Sequence, residues 1–356
     1  MNRPFEPQIQ LSNLNSQTEC VIFNRVLSEI CPYLNLPTMS VQLLQAFSSR
    51  DVTSEHLADT FKRNPYYLDF FNQVILSLSN REEMPVPEAG VVMLGMQNSR
   101  NHLIVSQMVK TIRGESPLFE ESGKLNLDVK GHLSFALQCE DYLSEKQDEY
   151  VSLGFSAGLF YDFLREIVRF KFSDLKDFDT YLDAHFLRAL RSAKVARLLS
   201  LSLKNFSYKK YAFSAGLLQN VGEIALSLLS PEYFKLSLSF AEHKIPRSMR
   251  VALEYKRVKT SPQVVAVPML FNFPLFRKIA QSIFYTREPY RLKSKHKDDY
   301  DLSIVLHVAN EVADSFQIPN DPKDPILQKY LGAAVSDHSL NSSTLLKVLQ
   351  DLGKDG

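Results

Sequence analysis

Twelve glycines in 356 residues, against a usual share of roughly 7%, leave this chain few places to turn sharply or to wrap a phosphate. Fifty leucines stand beside them. Glycine supplies the positive φ of tight turns and the close backbone approach of phosphate loops, whereas leucine is among the best helix formers. An all-α fold is therefore expected, and a turn-rich β fold or a glycine-loop nucleotide enzyme is not. No GxxxxGK[ST], GxGxxG or GxSxG motif occurs, which agrees. Lys+Arg 41 against Asp+Glu 40 gives a net charge of +1, without the basic excess that a nucleic-acid partner calls for.

Cys20, Cys31 and Cys139 form no CxxC pair. An odd number leaves one unpaired, so neither a disulfide framework nor a cysteine zinc site is expected, and a reducing compartment is. Met1-Asn2-Arg3-Pro4-Phe5-Glu6-Pro7 has no apolar core of a secretory signal. The apolar stretch Val264 to Phe276 is interrupted by Pro268, Asn272 and Pro274 and falls short of the ~20 residues of a membrane helix. The expectation is a cytoplasmic protein with no membrane insertion.

Helical periodicity marks Glu19 to Ile30, Pro37 to Phe47, a segment opened by Thr53 and stopped at Asn64-Pro65, Tyr67 to Leu78 and Val91 to Thr111. Arg113 to Asn126 reads as a connector. Further helices are predicted over Phe155 to Phe170, Tyr181 to Leu203, Ala212 to Leu229, Glu232 to Glu242, Asp301 to Phe316 and Leu340 to Leu352. The charged run Arg291 to Tyr300 reads as a solvated loop. Tyr66-Tyr67 with Phe70-Phe71 is an aromatic cluster whose default role is core packing. Phe155-Ser-Ala-Gly-Leu159 and Phe213-Ser-Ala-Gly-Leu217 are identical pentapeptides. Duplication and coincidence both account for them, because small-residue steps let any two helices pack closely.

In order along the chain, Leu36-Pro37, Thr53-Ser54-Glu55-His56-Leu57-Ala58, Asn64-Pro65 and Leu94-Gly95-Met96 with Arg100-Asn101 resemble the N-terminal lobe of the HDOD family. These are bacterial all-helical signalling domains related to the HD metal-dependent phosphohydrolases. Ala215-Gly216-Leu217-Leu218-Gln219-Asn220-Val221-Gly222-Glu223 resembles the family's "AGLLHDIGK", followed by Pro231-Glu232-Tyr233. Ile283 to Pro289 resembles "IxxHHEP", and His307-Val308-Ala309-Asn310 resembles "xxAN". The resemblance implies an N-terminal helical lobe (20–112) packed on a degenerate HD-like core (186–318), with a helical insertion (113–185) and a C-terminal loop and helix (319–356).

In the parent HD enzymes His and Asp side chains hold metal ions that activate water against a phosphate ester. Carried over position by position, the first His falls at Arg191, the His-Asp doublet at Gln219 and Asn220, the paired histidines at Thr286 and Arg287, and the last Asp at Asn310. None offers the imidazole nitrogen or carboxylate oxygen that a hydrolytic metal prefers. No metal, no cofactor and no catalytic residue is expected. Tyr161-Asp162 reads as a solvated or capping pair, and His307 as a satisfied core or boundary histidine. Arg287-Glu-Pro-Tyr-Arg291 and the basic run through Lys293, Lys295, His296 and Lys297 read as a solvated loop.

The expected function is a non-enzymatic signalling scaffold of HDOD type that docks another signalling protein. The competing reading is a nucleotide or cyclic-dinucleotide sensor using the relic cleft of Arg191, Gln219, Asn220, Thr286, Arg287 and Asn310, where guanidinium groups would take the place of metal against phosphate. A metal-dependent phosphohydrolase is the third.

Overall fold

A computed structural model describes residues 17–34, 53–63, 65–79, 86–114, 128–172, 178–204, 206–243, 245, 247–292, 296–314, 317–318, 321–331 and 340–354. Every regular element among them is helical. The low-glycine, leucine-rich chain is all-α, as expected. It divides into two compact units, Met1–Leu34 with Asp177–Gly356, and Asn35–Lys176.

Helices α1 (Gln17–Glu29) and α2 (Cys31–Leu34) come first among the described residues and belong to the first unit. Val26, Ile30, Cys31 and Leu34 are buried, and Arg25 of α1 donates from Nη1 to Leu229 O at 2.7 Å. That carbonyl ends a helix of the C-terminal half, so the guanidinium meets the partial negative charge there.

The Asn35–Lys176 unit holds α3 (Ser54–Lys62), α4 (Pro65–Ser79), α5 (Pro87–Leu94), α6 (Met96–Arg113), α7 (Val129–His132), α8 (Ser134–Glu145) and α9 (Val151–Lys171). Thr53 caps α3, its hydroxyl accepting from His56 N at 3.3 Å. The helix predicted from Val91 to Thr111 is two helices, because Gly95 breaks it at φ +78°, a conformation that glycine adopts without strain. Gly114, also left-handed, closes α6. The centre of the unit is the α8–α9 hairpin. From Gly154 to Val168 every residue of α9 is buried, so the helix is enclosed all round. The predicted helix Pro37 to Phe47, Asn64, the connector beyond Gly114 and the side chains of Tyr66, Tyr67 and Phe70 lie outside the described residues; Phe71 is buried.

The first unit continues with α10 (Phe178–Ser202), α11 (Lys209–Leu218), α12 (Val221–Leu229), α13 (Pro231–Glu242), α14 (Arg247–Val258), α15 (Pro262–Asn272), α16 (Ala280–Phe284), α17 (Lys297–Asp314), α18 (Pro325–Leu331) and α19 (Ser342–Lys354), with short 3₁₀ turns at Pro274–Ile279 and Pro289–Leu292. Two of these differ from their sequence readings, and α15 carries Pro268 in its interior. The helix expected over Ala212 to Leu229 breaks between Leu218 and Val221. And α17 starts within the charged run, at Lys297, where Asp298 and Asp299 complement the helix N-terminus. By length and composition Lys209–Leu229 could cross a membrane, more so than Val264 to Phe276, but its most apolar window is wholly buried inside the protein. The core helix of a globular unit passes the same test. All three cysteines are free.

Candidate functional site

The break between α11 and α12 shapes the centre of the first unit. It turns Gln219 and Asn220 out of one helical register and into a layer between α10 and α17. There Asn220 Nδ2 donates to Asn310 Oδ1 at 2.9 Å, Asn310 Nδ2 donates to Gln219 Oε1 at 2.6 Å, and Gln219 Nε2 donates to Ser192 Oγ at 2.6 Å and to Gly216 O at 3.2 Å. All four side chains are buried. Gln219, Asn220 and Asn310, matched to metal ligands by resemblance, thus do come together, but as a run of amides bonded to one another.

The other three matched positions are spent elsewhere. Arg191 is exposed and donates from Nη1 to Ala313 O at 3.4 Å, on the last turn of α17. Thr286 is buried and donates to Ile283 O at 2.9 Å and Ser282 O at 3.2 Å, within its own turn of chain. Arg287 Nη1 lies 2.7 Å from Glu254 Oε2. His307, half-buried, has Nδ1 at 3.1 Å from Thr286 O, the boundary role expected of it.

One helical turn from the amides lies a charged group that the sequence reading passed over. Arg188 Nε meets Asp314 Oδ1 at 2.5 Å and Arg188 Nη1 meets Glu223 Oε2 at 3.2 Å. Arg250 approaches Asp314 at 3.7 Å and His185 Nε2 approaches Glu223 at 3.4 Å. Tyr233 Oη donates to Glu254 Oε1 at 3.1 Å, and Tyr181 Oη shares hydrogen bonds with Ser227 and Ser237. Burial opposes the charge on Arg188, yet Asp314 and Glu223 hold its pKa above the ordinary value. Burial, then Glu223, pushes Tyr181 up to about 12. Arg188, Arg250 and Arg287 face Glu223, Asp314 and Glu254, three cations against three anions. Their spacing was the available signal: Glu223 stands three residues after Asn220, Asp314 four after Asn310, and Arg188 four before Ser192, so each falls on the same helix face as an amide-layer residue.

The side chains at the positions matched to HD metal ligands do not fit a divalent metal. Asn310 Oδ1 and Gln219 Oε1 already accept hydrogen bonds, Asn220 Oδ1 is the acceptor left over, and one neutral oxygen does not hold a divalent cation. No group of three His, Cys, Asp or Glu side chains suited to a metal occurs among the described residues. In the Asn35–Lys176 unit, Arg100 and Asp162 serve packing and capping. Arg100 makes a bidentate pair with Glu140 at 2.8 and 2.6 Å, donates from Nε to Asn101 Oδ1, and stacks 3.8 Å from the Phe155 ring centre. Asp162 is fully buried and caps another helix, accepting from Phe135 N at 3.1 Å and Ala136 N at 2.8 Å.

No family model and no curated protein matches the chain. Among solved structures it is similar to the crystal structure of a "Putative phosphohydrolase" from Shewanella amazonensis SB2B, at 16% identity over 95% of each chain, with a TM-score of 0.45. The expectation that this chain is not an enzyme is corrected on that match. That expectation rested on the six matched positions and on the lack of GxxxxGK[ST], GxGxxG and GxSxG motifs.

Proposed function

We propose that this protein works in a bacterial signal-transduction pathway as an HDOD-type signalling protein that docks another protein. The observation that carries the reading is an apolar corner at the α5–α6 break. Val92 and Met93 at the end of α5 and Met96 at the start of α6 are 69%, 43% and 42% exposed, with Val86 just ahead of α5 at 65%. Single exposed apolar side chains are ordinary, but four within eleven residues around one kink give the corner the apolar character that protein partners cover. The kink is the same Leu94-Gly95-Met96 that carries the HDOD resemblance. Arg100 and its pair with Glu140 fix the root of α6 beneath it.

The nucleotide-sensor reading has no comparable support, since the amides are bonded to one another and the guanidinium groups of Arg188, Arg250 and Arg287 are matched by carboxylates. The test is a photo-crosslinking residue at position 92, in cells, with and without Met93→Asp and Met96→Asp. A discrete adduct lost in the Asp variants supports docking. No adduct, or steady phosphate-ester turnover by the purified protein that outlasts loss of the patch, sinks it.

A further inference from the structure

The positions matched to the HD metal ligands hold a run of neutral side chains bonded in series, and we infer that Asn220, Asn310, Gln219 and Ser192 form a metal-free lock joining α10, the α11–α12 junction and α17. The hydrogen bonds run one way. Asn220 donates to Asn310, Asn310 to Gln219, and Gln219 to Ser192, at 2.9, 2.6 and 2.6 Å. Each inner amide uses its oxygen to accept and its nitrogen to donate, so each bond polarises the next.

The partners are 90, 91 and 27 residues apart, so the lock closes long loops rather than local turns. Full burial raises its stakes, because a donor or acceptor left alone there has no water to turn to. A bound cation draws several helices together by accepting lone pairs from each, and the amide chain performs the same joining with protons already covalently attached. It therefore needs neither a deprotonated ligand nor an ion. The lock also explains why α11 stops at Leu218 without glycine or proline: a continuous helix would separate the directions of Gln219 and Asn220 by about 100°, and the turn lets both reach Asn310.

The experiment is a double-mutant cycle read by thermal melting, with Asn220→Ala, Asn310→Ala and both together, and with Thr286→Val as a neighbour whose hydroxyl bonds only its own turn. Each lock variant is expected to lower the melting temperature by more than about 4 °C, and the double variant by clearly less than the sum. Thr286→Val is expected to shift it by less. Wild-type melting should be unmoved by EDTA or by millimolar Mn²⁺, Zn²⁺ or Mg²⁺. If Asn310→Ala does not fold, Ser192→Ala with Gln219→Met runs the same cycle at the other end. Additive losses, an Asn220 or Gln219 variant that melts like wild type, or a melting temperature that rises with metal and falls with EDTA would each overturn the inference.

Discussion

The two Phe-Ser-Ala-Gly-Leu helices, α9 and α11, share their packing and differ in everything after it. A Cβ on Gly158 would lie 2.6 Å from Ala136 Cα and Phe135 O, and one on Gly216 would lie 2.8 Å from Ala193 Cα and 3.0 Å from Ser192 O. In both copies the glycine lets a helix touch the backbone of the helix before it, at an alanine. Three residues after the pentapeptide the paths part. Asp162 stays in a continuous α9 and accepts two backbone N–H groups of α8, whereas Asn220 lies in the break and donates to Asn310. The reason lies in the partner helix. Ala136 is near the start of α8, where N–H groups have no intrahelical acceptor, but Ala193 is in the middle of α10, where they do. The pentapeptide sets how closely two helices approach, and the position of the contact along the partner sets which polar side chain can follow.

The sharpest way to break that comparison is to fill the contact. Gly158→Val and Gly216→Val are each expected to cost more than ~3 kcal/mol, at or above the usual range for overpacking a core. Gly158 should suffer more, because all three of its nearest atoms belong to backbone, while one of those at Gly216 is the Ala196 side chain. Chemical denaturation of the two variants measures this. A tolerated valine at either site would mean that the shared sequence does not mark a shared contact.

Exchanging the residues at the point of divergence sharpens the comparison further. Asn220→Asp replaces a donor by an acceptor opposite Asn310 Oδ1 in a dry site, and a loss of about 3 kcal/mol is expected. Asp162→Asn keeps one acceptor for α8 and turns its NH₂ toward the other N–H, a loss of about 1–2 kcal/mol. The smaller loss has a second cause. Burial pushes Asp162 up to about 8, against the pull of the Ala136 and Phe135 N–H groups, so a neutral side chain already suits the site. Asp162→Asn costing more than Asn220→Asp would reverse the assignment of roles.

How far these differences could be read in advance follows from the residues concerned. The long helices α9, α10 and α17 announce themselves by apolar spacing, and Thr53 and Gly114 by cap chemistry. The break at Gln219-Asn220 carries no glycine or proline, and what causes it is Asn310, 90 residues away. Pro268 interrupts an apolar stretch in the sequence, yet it is buried and α15 runs through it, because packing outweighs one lost backbone bond. Asp298 and Asp299 read as a loop when counted as charge, and as a helix start when counted as dipole partners. At the candidate site, resemblance picked out Gln219, Asn220 and Asn310, which do meet, but it could not show that they bind one another or that Arg191 and Arg287 are engaged elsewhere. The ionic group of Arg188, Glu223 and Asp314 was missed because each was judged alone, not as the next turn of a shared face.

The smallest effect expected near neutrality is the most selective in acid. Burial raises the pKa of Glu166 in α9, but His132, Arg169 and Arg113 outweigh it and hold the carboxyl at about 2 rather than 4.5, through contacts of 3.1, 3.0 and 2.9 Å. A folded value below the unfolded one means that the contribution is fully present above about pH 4.5 and disappears as the pH falls toward 2. Glu166→Gln removes it at every pH. The variant should therefore melt below wild type near neutrality, and the two curves should converge as the pH drops from 4.5 to 2. Burial raises the pKa of Asp162 well above this window, so it adds little to the difference between the two curves. Eight residues on from Gly158 stands Glu166, and eight on from Gly216 stands Ile224, while the amide layer has no group that titrates there. Asn220→Ala and Asn310→Ala should accordingly run parallel to wild type through the same window. Convergence of the amide variants with wild type in acid, or a constant gap for Glu166→Gln, would show that the ionic and neutral locks have been assigned to the wrong helices.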